Sequence, residues 1–348
     1  MKAALLTGLQ QVRIDQVPEP KIQRDQDVLL RVDVVGVCGS DVHIYKEGRI
    51  GTSIAELPWI VGHESACTVA AVGKGVRALK VGQRVAVDPL IPCNKCDQCL
   101  SDFKYTCRDQ GFLGSPGLSQ GCLTEYIVMP EECCLPVPDN MTQEQIALTE
   151  PLSIGLHTRN LGKLGKTGNV VIQGCGPIGL CVLLGLRAKG DYKVYMTDVL
   201  DYRLEAGRKF GADWVGSARD AGSVPAAIRK MEPVGVDAVF ECAGQEETVD
   251  QGLAMLRPRG RLVMAGIPAE SRISFDVHLA RRQELVIQSV RRQDRCVEEA
   301  VELVGSGRID MNAMVTHHFS LDQTGEAMDL VSNYRDGVLK AMIHVSGR

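Results

Sequence analysis

A glycine-rich segment constrains the fold of this chain more than any other feature of its sequence. An apolar run at residues 169–173 leads into the segment, and an apolar, helix-favouring run at 178–189 follows it. The segment has the pattern G-x-G-x-x-G, and its residues are Gly174, Cys175, Gly176, Pro177, Ile178 and Gly179. Between a strand and a helix, the first glycine permits a tight turn, the second lets the backbone approach a pyrophosphate, and the third allows close packing. The segment therefore predicts a doubly wound parallel α/β sheet that binds a dinucleotide at the N-terminus of the helix.

An acidic residue 19 positions after the last glycine favours one form of the dinucleotide. Asp198 ends the next predicted strand, where its carboxylate can accept hydrogen bonds from the ribose hydroxyls and would repel a 2′-phosphate. The three residues that follow carry no cation, so we expect NAD rather than NADP, although Arg203 is a nearby candidate for contact with the cofactor. Alternatively, the glycines are ordinary turn residues of an unliganded sheet. The expected order of a strand, the glycine motif, a helix and an acidic residue argues against that alternative.

The second half of the chain alternates between short apolar runs and helix-favouring stretches. The predicted strands are 169–173, 193–197, 213–215, 236–241, 261–265 and 285–290. The predicted helices are 178–189, 202–210, 224–231, 247–256 and 296–304. This alternation indicates βαβ units and a parallel sheet.

The first 150 residues have a different character. Short β-branched runs at 28–35, 66–72 and 84–87 are separated by closely spaced glycines, a pattern typical of a β-sandwich or barrel. The composition changes near Glu150, and the run at 338–345 predicts a further strand that could return to the first domain. At 348 residues the chain is long enough for two domains.

Four of the thirteen cysteines stand close together in the sequence. They follow the spacing C-x2-C-x2-C-x7-C and are Cys93, Cys96, Cys99 and Cys107. Four thiolates suit tetrahedral zinc, and a site closed by four protein ligands is structural. The surrounding loop has too few apolar residues to be ordered by a hydrophobic core, so a bound ion would be needed to order it. An iron–sulfur cluster or free thiols are the alternatives.

A second set of possible metal ligands is dispersed along the chain. Cys38 follows an apolar run, His63 and Glu64 are adjacent, and Glu150 stands where the composition changes. Each is ambiguous alone, because a lone cysteine is usually part of a core and a His-Glu pair is usually a solvated turn. Together they offer one thiolate, one imidazole and two carboxylates, enough for a catalytic zinc that keeps an exchangeable position.

Composition excludes several other classes of protein. The net charge is −4 and aromatic residues make up 4% of the chain, which argues against a nucleic-acid-binding surface. The most apolar window, 170–188, contains four glycines and a proline, so a buried strand–turn–helix explains it better than a membrane span. The N-terminal apolar run is too short for a signal peptide. We therefore expect a soluble, cytoplasmic protein that binds neither nucleic acid nor membrane.

Taken together, these motifs resemble those of the zinc-dependent medium-chain dehydrogenases over the full length of the chain. The matching motifs are Cys38-Gly39-Ser40-Asp41, Gly62-His63-Glu64, the four-cysteine loop, Glu150-Pro151-Leu152-Ser153 and the glycine-rich segment 174–179. Their order and spacing agree with that family. Within it, the chain looks most like the polyol branch, the sorbitol, xylitol and iditol dehydrogenases, in which acids replace the cysteine that is the third zinc ligand of ordinary alcohol dehydrogenases.

The resemblance implies a fold and an assignment of ligands. The fold would be a GroES-like β-barrel catalytic domain, residues 1–152 and 291–348, with a Rossmann NAD-binding domain at 153–290. The active site would lie in the cleft between the domains, with the nicotinamide against the zinc. By resemblance, Cys38, His63 and Glu64 bind the catalytic zinc, and Glu150 either binds it directly or holds its water.

The resemblance also assigns positions for proton transfer and substrate. Ser40 and His43 occupy positions that carry the proton relay in relatives, and Arg292 matches an arginine that contacts substrate or cofactor in the sorbitol enzymes. Relatives are usually dimers or tetramers, which implies a homodimer or homotetramer.

The substrate is less constrained than the reaction. The segment 112–121 only partly matches the polyol pattern, since Pro116, Gly117 and Leu118 replace the usual threonine–proline–proline. Threonine and butanediol dehydrogenases share much of this frame and remain alternatives. We expect metal-assisted oxidation of an alcohol by hydride transfer to NAD, with the proton leaving through Ser40, His43 or a water held by Glu150. A zinc-ribbon nucleic-acid-binding protein and a silent NAD sensor are rival interpretations that leave the dispersed ligands without a purpose.

Overall fold

The structure is a computed structural model that describes residues 1–220 and 222–346. Within those residues, no helix is long and apolar enough to cross a bilayer. The chain divides into two compact units, one formed by residues 1–150 with 297–348 and the other by 151–296.

Strands account for much of both units. In chain order they are β1 (Lys2–Gly8), β2 (Gln11–Gln16), β3 (Asp27–Gly36), β4 (Arg49–Ile50), β5 (Ser53–Ile54), β6 (Glu64–Val72), β7 (Arg84–Val87), β8 (Leu90–Ile91), β9 (Gly111–Phe112), β10 (Tyr126–Pro130), β11 (Cys134–Pro136), β12 (Thr167–Gln173), β13 (Asp191–Asp198), β14 (Trp214–Ser217), β15 (Val236–Glu241), β16 (Leu256–Met264), β17 (Val286–Ser289), β18 (Val315–Ser320) and β19 (Lys340–His344).

Helices alternate with the later strands and connect some of the earlier ones. They are α1 (Gly39–Glu47), α2 (Asp97–Leu100), α3 (Gln143–Leu161), α4 (Pro177–Lys189), α5 (Asp201–Lys209), α6 (Ser223–Met231), α7 (Glu246–Met255), α8 (Val277–Arg282), α9 (Cys296–Gly305) and α10 (Thr324–Ser332). Short 3-10 helices lie at Lys104–Thr106, Glu131–Cys133, Asn312–Met314 and Leu321–Gln323.

The second unit is built on a six-stranded sheet whose strands are all parallel. Its spatial order is β14-β13-β12-β15-β16-β17, so the chain reverses direction beside β12, the strand that precedes the glycine-rich segment. Helices cover parallel sheets on both faces, which explains why Val170, Val171 and Ile172 are all fully buried instead of alternating with polar residues. The predicted doubly wound sheet is confirmed, and each of its six predicted strands is present.

The first unit contains a seven-stranded sheet around the long strand β3. The order is β11-β7-β6-β3-β19-β18, and β10 also pairs with β3. The C-terminal strand β19 runs antiparallel to β3, with Ile343 opposite Val35. The predicted return of the chain's last strand to the first domain is therefore confirmed. The β-rich interpretation of the first 150 residues holds as well, and the core of the unit includes Val28, Leu30 and Met129.

One long helix was not predicted from the sequence. Helix α3 continues through Pro151, a residue that removes a backbone donor and usually ends or bends a helix. Ile146, Leu148 and Leu152 are fully buried, so tertiary packing of its apolar residues outweighs the cost of an interior proline. Because α3 carries Glu150, this helix determines where that carboxylate lies.

Candidate active site and metal centres

The glycine-rich turn has the backbone geometry that its motif predicts. Gly174 has a φ of +101°, which only glycine adopts readily, and its N–H donates to Thr197 O at 2.7 Å. A Cβ on Gly179 would lie 1.9 Å from Gly174 O, so any side chain there would collide with the turn. Gly176 is the N-cap of α4, and Pro177 and Ile178 begin the helix. The N-terminus of α4 therefore stands open to an anion.

Asp198 holds this turn in place from the end of β13. Its two carboxylate oxygens accept hydrogen bonds from Cys175 N at 2.8 Å and Leu200 N at 2.9 Å. Each oxygen has a further lone pair, so the carboxylate can still accept from a ribose hydroxyl. The structure thus gives Asp198 a second task, since it also fixes the turn that receives the phosphates.

Arg203 lies beside the turn. A Cβ on Gly176 would be 3.4 Å from Arg203 Nη1, so the guanidinium stands against the second glycine of the motif. Burial is the main cause that raises the pKa of the Cys175 thiol, while Asp198 adds to the rise and Arg203 opposes it. A cation at this point is suited to a phosphate of the cofactor.

The four-cysteine loop brings its sulfurs to the spacing of a tetrahedral zinc site. The Sγ atoms of Cys96 and Cys99 are 3.6 Å apart, those of Cys96 and Cys107 are 3.9 Å apart, and those of Cys93 and Cys99 are 4.0 Å apart. Zn–S bonds of about 2.3 Å in a tetrahedron put neighbouring sulfurs about 3.8 Å apart. The four residues therefore fit one structural ion.

The protonation chemistry of these thiols also suits a cation. Hydrogen bonds from the backbone at Arg108 and Cys99 lower the pKa of Cys96 to about 6. Desolvation instead raises the pKa of Cys99 to about 12. A bound dication would deprotonate all four, as coordinating thiols require.

The dispersed set comes together at a second place in the first unit. One donor atom each from Cys38, His63 and Glu64 lie within 4.8 Å of one another. Cys38 is the N-cap of α1, and Glu64 is the first residue of β6, paired with Gly36 of β3. A Cβ on Gly36 would lie 2.3 Å from Glu64 Oε2, so the glycine makes room for that carboxylate.

Asp41 organises this cluster without being one of its three members. Its Oδ2 accepts from Cys38 N at 3.0 Å, and its Oδ1 accepts from Gly62 N at 3.0 Å and lies 3.5 Å from His63 Nδ1. Burial lowers the pKa of His63, but Asp41 and Cys38 outweigh burial and hold the pKa well above its ordinary value. A carboxylate behind a ligating histidine fixes the ring and its tautomer. In the sequence, Asp41 stands within a motif, but no local pattern indicates this role.

Lys340 forms a contact with the metal cluster that was not predicted from the sequence. From the first position of β19, its Nζ donates to Glu64 Oε1 at 2.8 Å, to Glu64 Oε2 at 2.7 Å and to Val37 O at 3.0 Å. Both side chains of the ion pair are almost fully buried. The Glu64 carboxylate has lone pairs enough for both Lys340 and a metal ion, so the pair is compatible with ligation. Lys340 follows Glu64 by 276 residues in the sequence, so no local pattern could predict the contact.

Glu150 adjoins the cluster from helix α3. It is buried, and burial raises its pKa to about 8, with Glu64 and Asp88 adding to the rise while His63 opposes it. Among the residues that the structure describes, the tight group of donor atoms contains Cys38, His63 and Glu64, whereas Glu150 stays outside it.

Buried charges and zinc-type donors lie together in this region. The buried carboxylates of Asp41 and Glu64 are matched by the ammonium of Lys340 and by His63. Cys38 and Glu150 add a thiol and a carboxyl group, and a bound dication would favour the ionised form of both. The donor set therefore fits zinc with protein ligands from nitrogen, sulfur and oxygen.

The two proposed relay residues lie on one helix. Ser40 and His43 belong to α1 and are three positions apart, so they share a face of the helix. Both are half-buried, and His43 Nδ1 lies 3.6 Å from Glu47 Oε1. Cys38 is the N-cap of α1, so a single element ties the relay positions to the metal cluster.

Arg292 follows the last strand of the parallel sheet in the second unit. It is half-buried and has a left-handed φ of +54°. Such a backbone conformation is uncommon for arginine and occurs often at functional sites.

Comparisons with known proteins match both units of the chain. Residues 24–139 match the alcohol dehydrogenase GroES-like domain, and residues 177–306 match the zinc-binding dehydrogenase domain. The chain is 35% identical over 344 residues to sorbitol dehydrogenase of Bacillus subtilis, covering 99% of this chain and 97% of the relative. It is 33% identical to L-idonate 5-dehydrogenase of Vitis vinifera, covering 99% and 94%.

A solved structure shows the same fold over nearly the whole chain. It is an Escherichia coli oxidoreductase/dehydrogenase of unknown specificity involved in membrane biogenesis, with a TM-score of 0.92, 31% identity and 99% coverage of both chains. A dinucleotide turn beside a parallel sheet, together with two zinc-type ligand sets, defines a zinc-dependent alcohol dehydrogenase. This chain belongs to the zinc-dependent medium-chain dehydrogenase/reductase family and to its polyol-dehydrogenase-like branch, so the resemblance noted in the sequence is confirmed. It is an enzyme whose cofactors are zinc and a nicotinamide dinucleotide.

Proposed function

We propose that the enzyme oxidises a secondary alcohol of a polyol or sugar-derived substrate to a ketone, using NAD. The observation that carries this proposal is the ligand cluster of Cys38, His63 and Glu64, whose donor atoms lie within 4.8 Å of one another. The chain also covers nearly all of a sorbitol dehydrogenase and an L-idonate 5-dehydrogenase, two enzymes named for polyhydroxylated substrates.

We assign two zinc ions to each chain. Cys93, Cys96, Cys99 and Cys107 would hold the structural ion, supported by their sulfur–sulfur spacing. Cys38, His63 and Glu64 would hold the catalytic ion, with Glu150 binding it directly or through a water. Residues 1–152 and 291–348 would form the catalytic domain, and 153–290 the NAD-binding domain.

The metal and the cofactor supply the chemistry that side chains cannot. When bound, zinc offers Lewis-acid stabilisation of a deprotonated alcohol, and the nicotinamide accepts a hydride. Cys38, His63 and Glu64 would hold the ion and so would set where the alcohol binds. Asp41 and Lys340 hold His63 and Glu64 respectively, so the ligands keep one geometry through turnover.

The chain's own residues move the proton of the alcohol. Ser40 would accept it by hydrogen bond, and His43, half-buried on the same face of α1, would pass it to solvent. Glu150 offers another route. Because burial raises its pKa to about 8, it can take up a proton near neutral pH, where an ordinary carboxylate cannot.

Asp198 would select NAD over NADP. Its position at the end of β13 supports this role. Gly174, Gly176, Pro177, Ile178 and Gly179 would receive the pyrophosphate, and Arg203 would contact a phosphate. Arg292 would contact the substrate or the cofactor, as the resemblance to the sorbitol enzymes implies.

We also propose a homodimer or homotetramer that works in the cytoplasm. The edge strand β17 exposes Val286 and Ile287, which is unusual for an apolar strand unless another surface covers it. None of the thirteen cysteines, all of which the structure describes, is joined in a disulfide, as a reducing compartment would require.

A substrate screen tests the proposed activity. Reduction of NAD at 340 nm would be followed with sugar alcohols, sugar acids, 2,3-butanediol and threonine, using wild type and Cys38→Ala. We expect turnover with polyols or sugar acids in wild type alone. A clear preference for butanediol or threonine would contradict the polyol assignment, and equal rates in Cys38→Ala would contradict the role of the metal cluster.

A further inference from the structure

A third group of metal-binding side chains lies in the first unit, apart from both zinc-type sets. One donor atom each from Glu144, His318 and His344 lie within 4.8 Å of one another. Glu144 is in the first turn of α3, His318 is on β18, and His344 is the last residue of β19. The three residues come from separate elements, so the fold brings them together.

The pairing of the two strands explains how the histidines meet. Strands β18 and β19 are parallel neighbours, with Ser320 opposite His344. His318 is two residues before Ser320, so both histidines point to the same face of the sheet as diagonal neighbours. Their rings are 5.6 Å apart between centroids and tilted by 36°. Glu144 completes the group from α3.

The distances match the edges of a coordination polyhedron. His318 Nδ1 lies 2.9 Å from Glu144 Oε1, His344 Nε2 lies 3.1 Å from the same oxygen, and the two nitrogens are 3.4 Å apart. With metal–ligand bonds of about 2.0–2.2 Å, neighbouring donors are about 2.9–3.1 Å apart in an octahedron and about 3.3–3.5 Å apart in a tetrahedron. One ion can therefore touch all three atoms with little movement.

The same three atoms also allow hydrogen bonds, since both imidazole N–H groups can donate to the Glu144 carboxylate. With no proton on His318 Nδ1 and His344 Nε2, a cation can use both nitrogen lone pairs and the carboxylate at once.

We infer that Glu144, His318 and His344 form a binding site for a divalent transition-metal ion, with Zn²⁺ the probe that best tests it. Two imidazoles and one carboxylate are ligands that Zn²⁺ accepts, and water would fill the remaining positions. Glu144 and His344 line an open cleft of about 360 Å³, through which ion and water can enter. The ion would tie the start of α3 to the C-terminal strands.

Zinc content after equilibrium dialysis tests this site directly. Purified holoenzyme, His318→Ala and Glu144→Gln would be dialysed against low-micromolar free Zn²⁺ and analysed for metal per chain. We expect wild type to hold one ion more than either variant. Loss of an outer partner of a ligand already lowers metal affinity about 10- to 100-fold, so loss of a direct ligand should lower it at least about 100-fold.

His278→Ala is the matched control, since His278 is an exposed histidine on α8 that belongs to no ligand cluster of the described residues. It should bind as much zinc as wild type. Equal zinc in wild type and in both ligand variants would overturn the inference, and so would equal losses in His278→Ala and His318→Ala. The comparison depends on a difference between variants, so its result does not depend on the activity proposed above.

Thermal unfolding provides a second readout that needs no ion count. Added Zn²⁺ stabilises the folded chain only if the folded chain binds it more tightly. We expect a rise in Tm on adding low-micromolar Zn²⁺ to wild type and to His278→Ala, and a smaller rise or none in Glu144→Gln. The same rise in all three proteins would contradict the site.

Discussion

At the scale of single residues, the site depends on side chains that hold other side chains. Asp41 bridges the backbone of Cys38 and the ring of His63, and Lys340 holds both oxygens of Glu64. These partners are buried, so their charges interact strongly and replacing one leaves the other unpaired. The ligand geometry is therefore a property of at least five residues and not of the three donors alone.

The ligand cysteine gives the sharpest functional prediction at this scale. Cys38→Ala should abolish turnover while leaving NAD binding intact, because the turn that receives the cofactor phosphates is built from residues 174–179 of the other unit. Cofactor affinity would be measured by quenching of tryptophan fluorescence and zinc by metal analysis. Cys134→Ala, which removes a buried sulfur outside both clusters, should keep activity. Turnover in a zinc-depleted Cys38→Ala protein would exclude metal-assisted chemistry.

A second prediction at the residue scale concerns Asp198. Asp198→Ala should narrow the preference for NAD over NADP by roughly tenfold or more, because it removes both a ribose acceptor and a charge that repels the 2′-phosphate. Since Asp198 also accepts from Cys175 N and Leu200 N, affinity for NAD itself should fall. Steady-state kinetics with both cofactors checks this. Equal efficiency of the wild type with NADP would show that Asp198 does not discriminate.

At the scale of elements, the parallel sheet was predictable and the helix that carries Glu150 was not. Buried parallel strands are short apolar runs, as Val170, Val171 and Ile172 show, and such runs are visible in a sequence. Helix α3 contains Pro151, which argues locally against a helix, so only its packing reveals it.

Contacts between elements that are distant in the sequence were also not predictable from it. The pairing of Lys340 with Glu64 and the meeting of Glu144 with His318 and His344 depend on where β19 inserts in the sheet. The run at 338–345 predicts a strand, but its register decides which side chains reach the site, and nothing in the run specifies that register.

The four-cysteine loop provides a prediction about one element. Cys93→Ser should reduce zinc by about one ion per chain and lower the Tm, since structural zinc contributes on the order of 10 kcal/mol in small domains. Cys38, His63 and Glu64 lie outside the loop, so the remaining activity per folded molecule should change less than stability does. Unchanged zinc content in Cys93→Ser would contradict the structural site.

Helix α3 also carries a buried histidine whose ionisation should weaken folding in acid. Burial lowers the pKa of His157 to about 4, and Lys163 adds to the effect. The unfolded chain, with a pKa near 6.5, binds this proton first, so stability from this group is complete above about pH 6.5 and is lost as the pH falls toward 4. The loss should reach about 3 kcal/mol.

Urea unfolding of wild type and His157→Gln between pH 4.5 and 7.5 measures this contribution. The variant should lose less stability on acidification than wild type, and the exposed His278→Gln should behave like wild type. Parallel pH dependence in wild type and His157→Gln would show that His157 does not titrate differently in the two states.

At the scale of the whole molecule, the edge of the parallel sheet argues for self-association. Strand β17 ends the sheet order, and a parallel sheet normally has its faces covered and its edge protected. Val286 is 37% exposed and Ile287 is 36% exposed, and Val277 of the adjoining helix α8 is 59% exposed. Exposed apolar residues at an unpaired sheet edge favour a contact with another protein, and a second copy of the chain presents the same edge.

Disrupting that edge should therefore change the oligomeric state. Ile287→Asp places a charge on the exposed face of β17, where burial against a second chain would require its desolvation. We expect the wild type to elute as a dimer or tetramer in size-exclusion chromatography with light scattering, and Ile287→Asp to shift toward monomer. Leu100→Asp, at a residue 76% exposed in the first unit, is the control and should keep the wild-type mass. A wild type that is monomeric at micromolar concentration, or an Ile287→Asp protein of unchanged mass, would remove β17 from the interface.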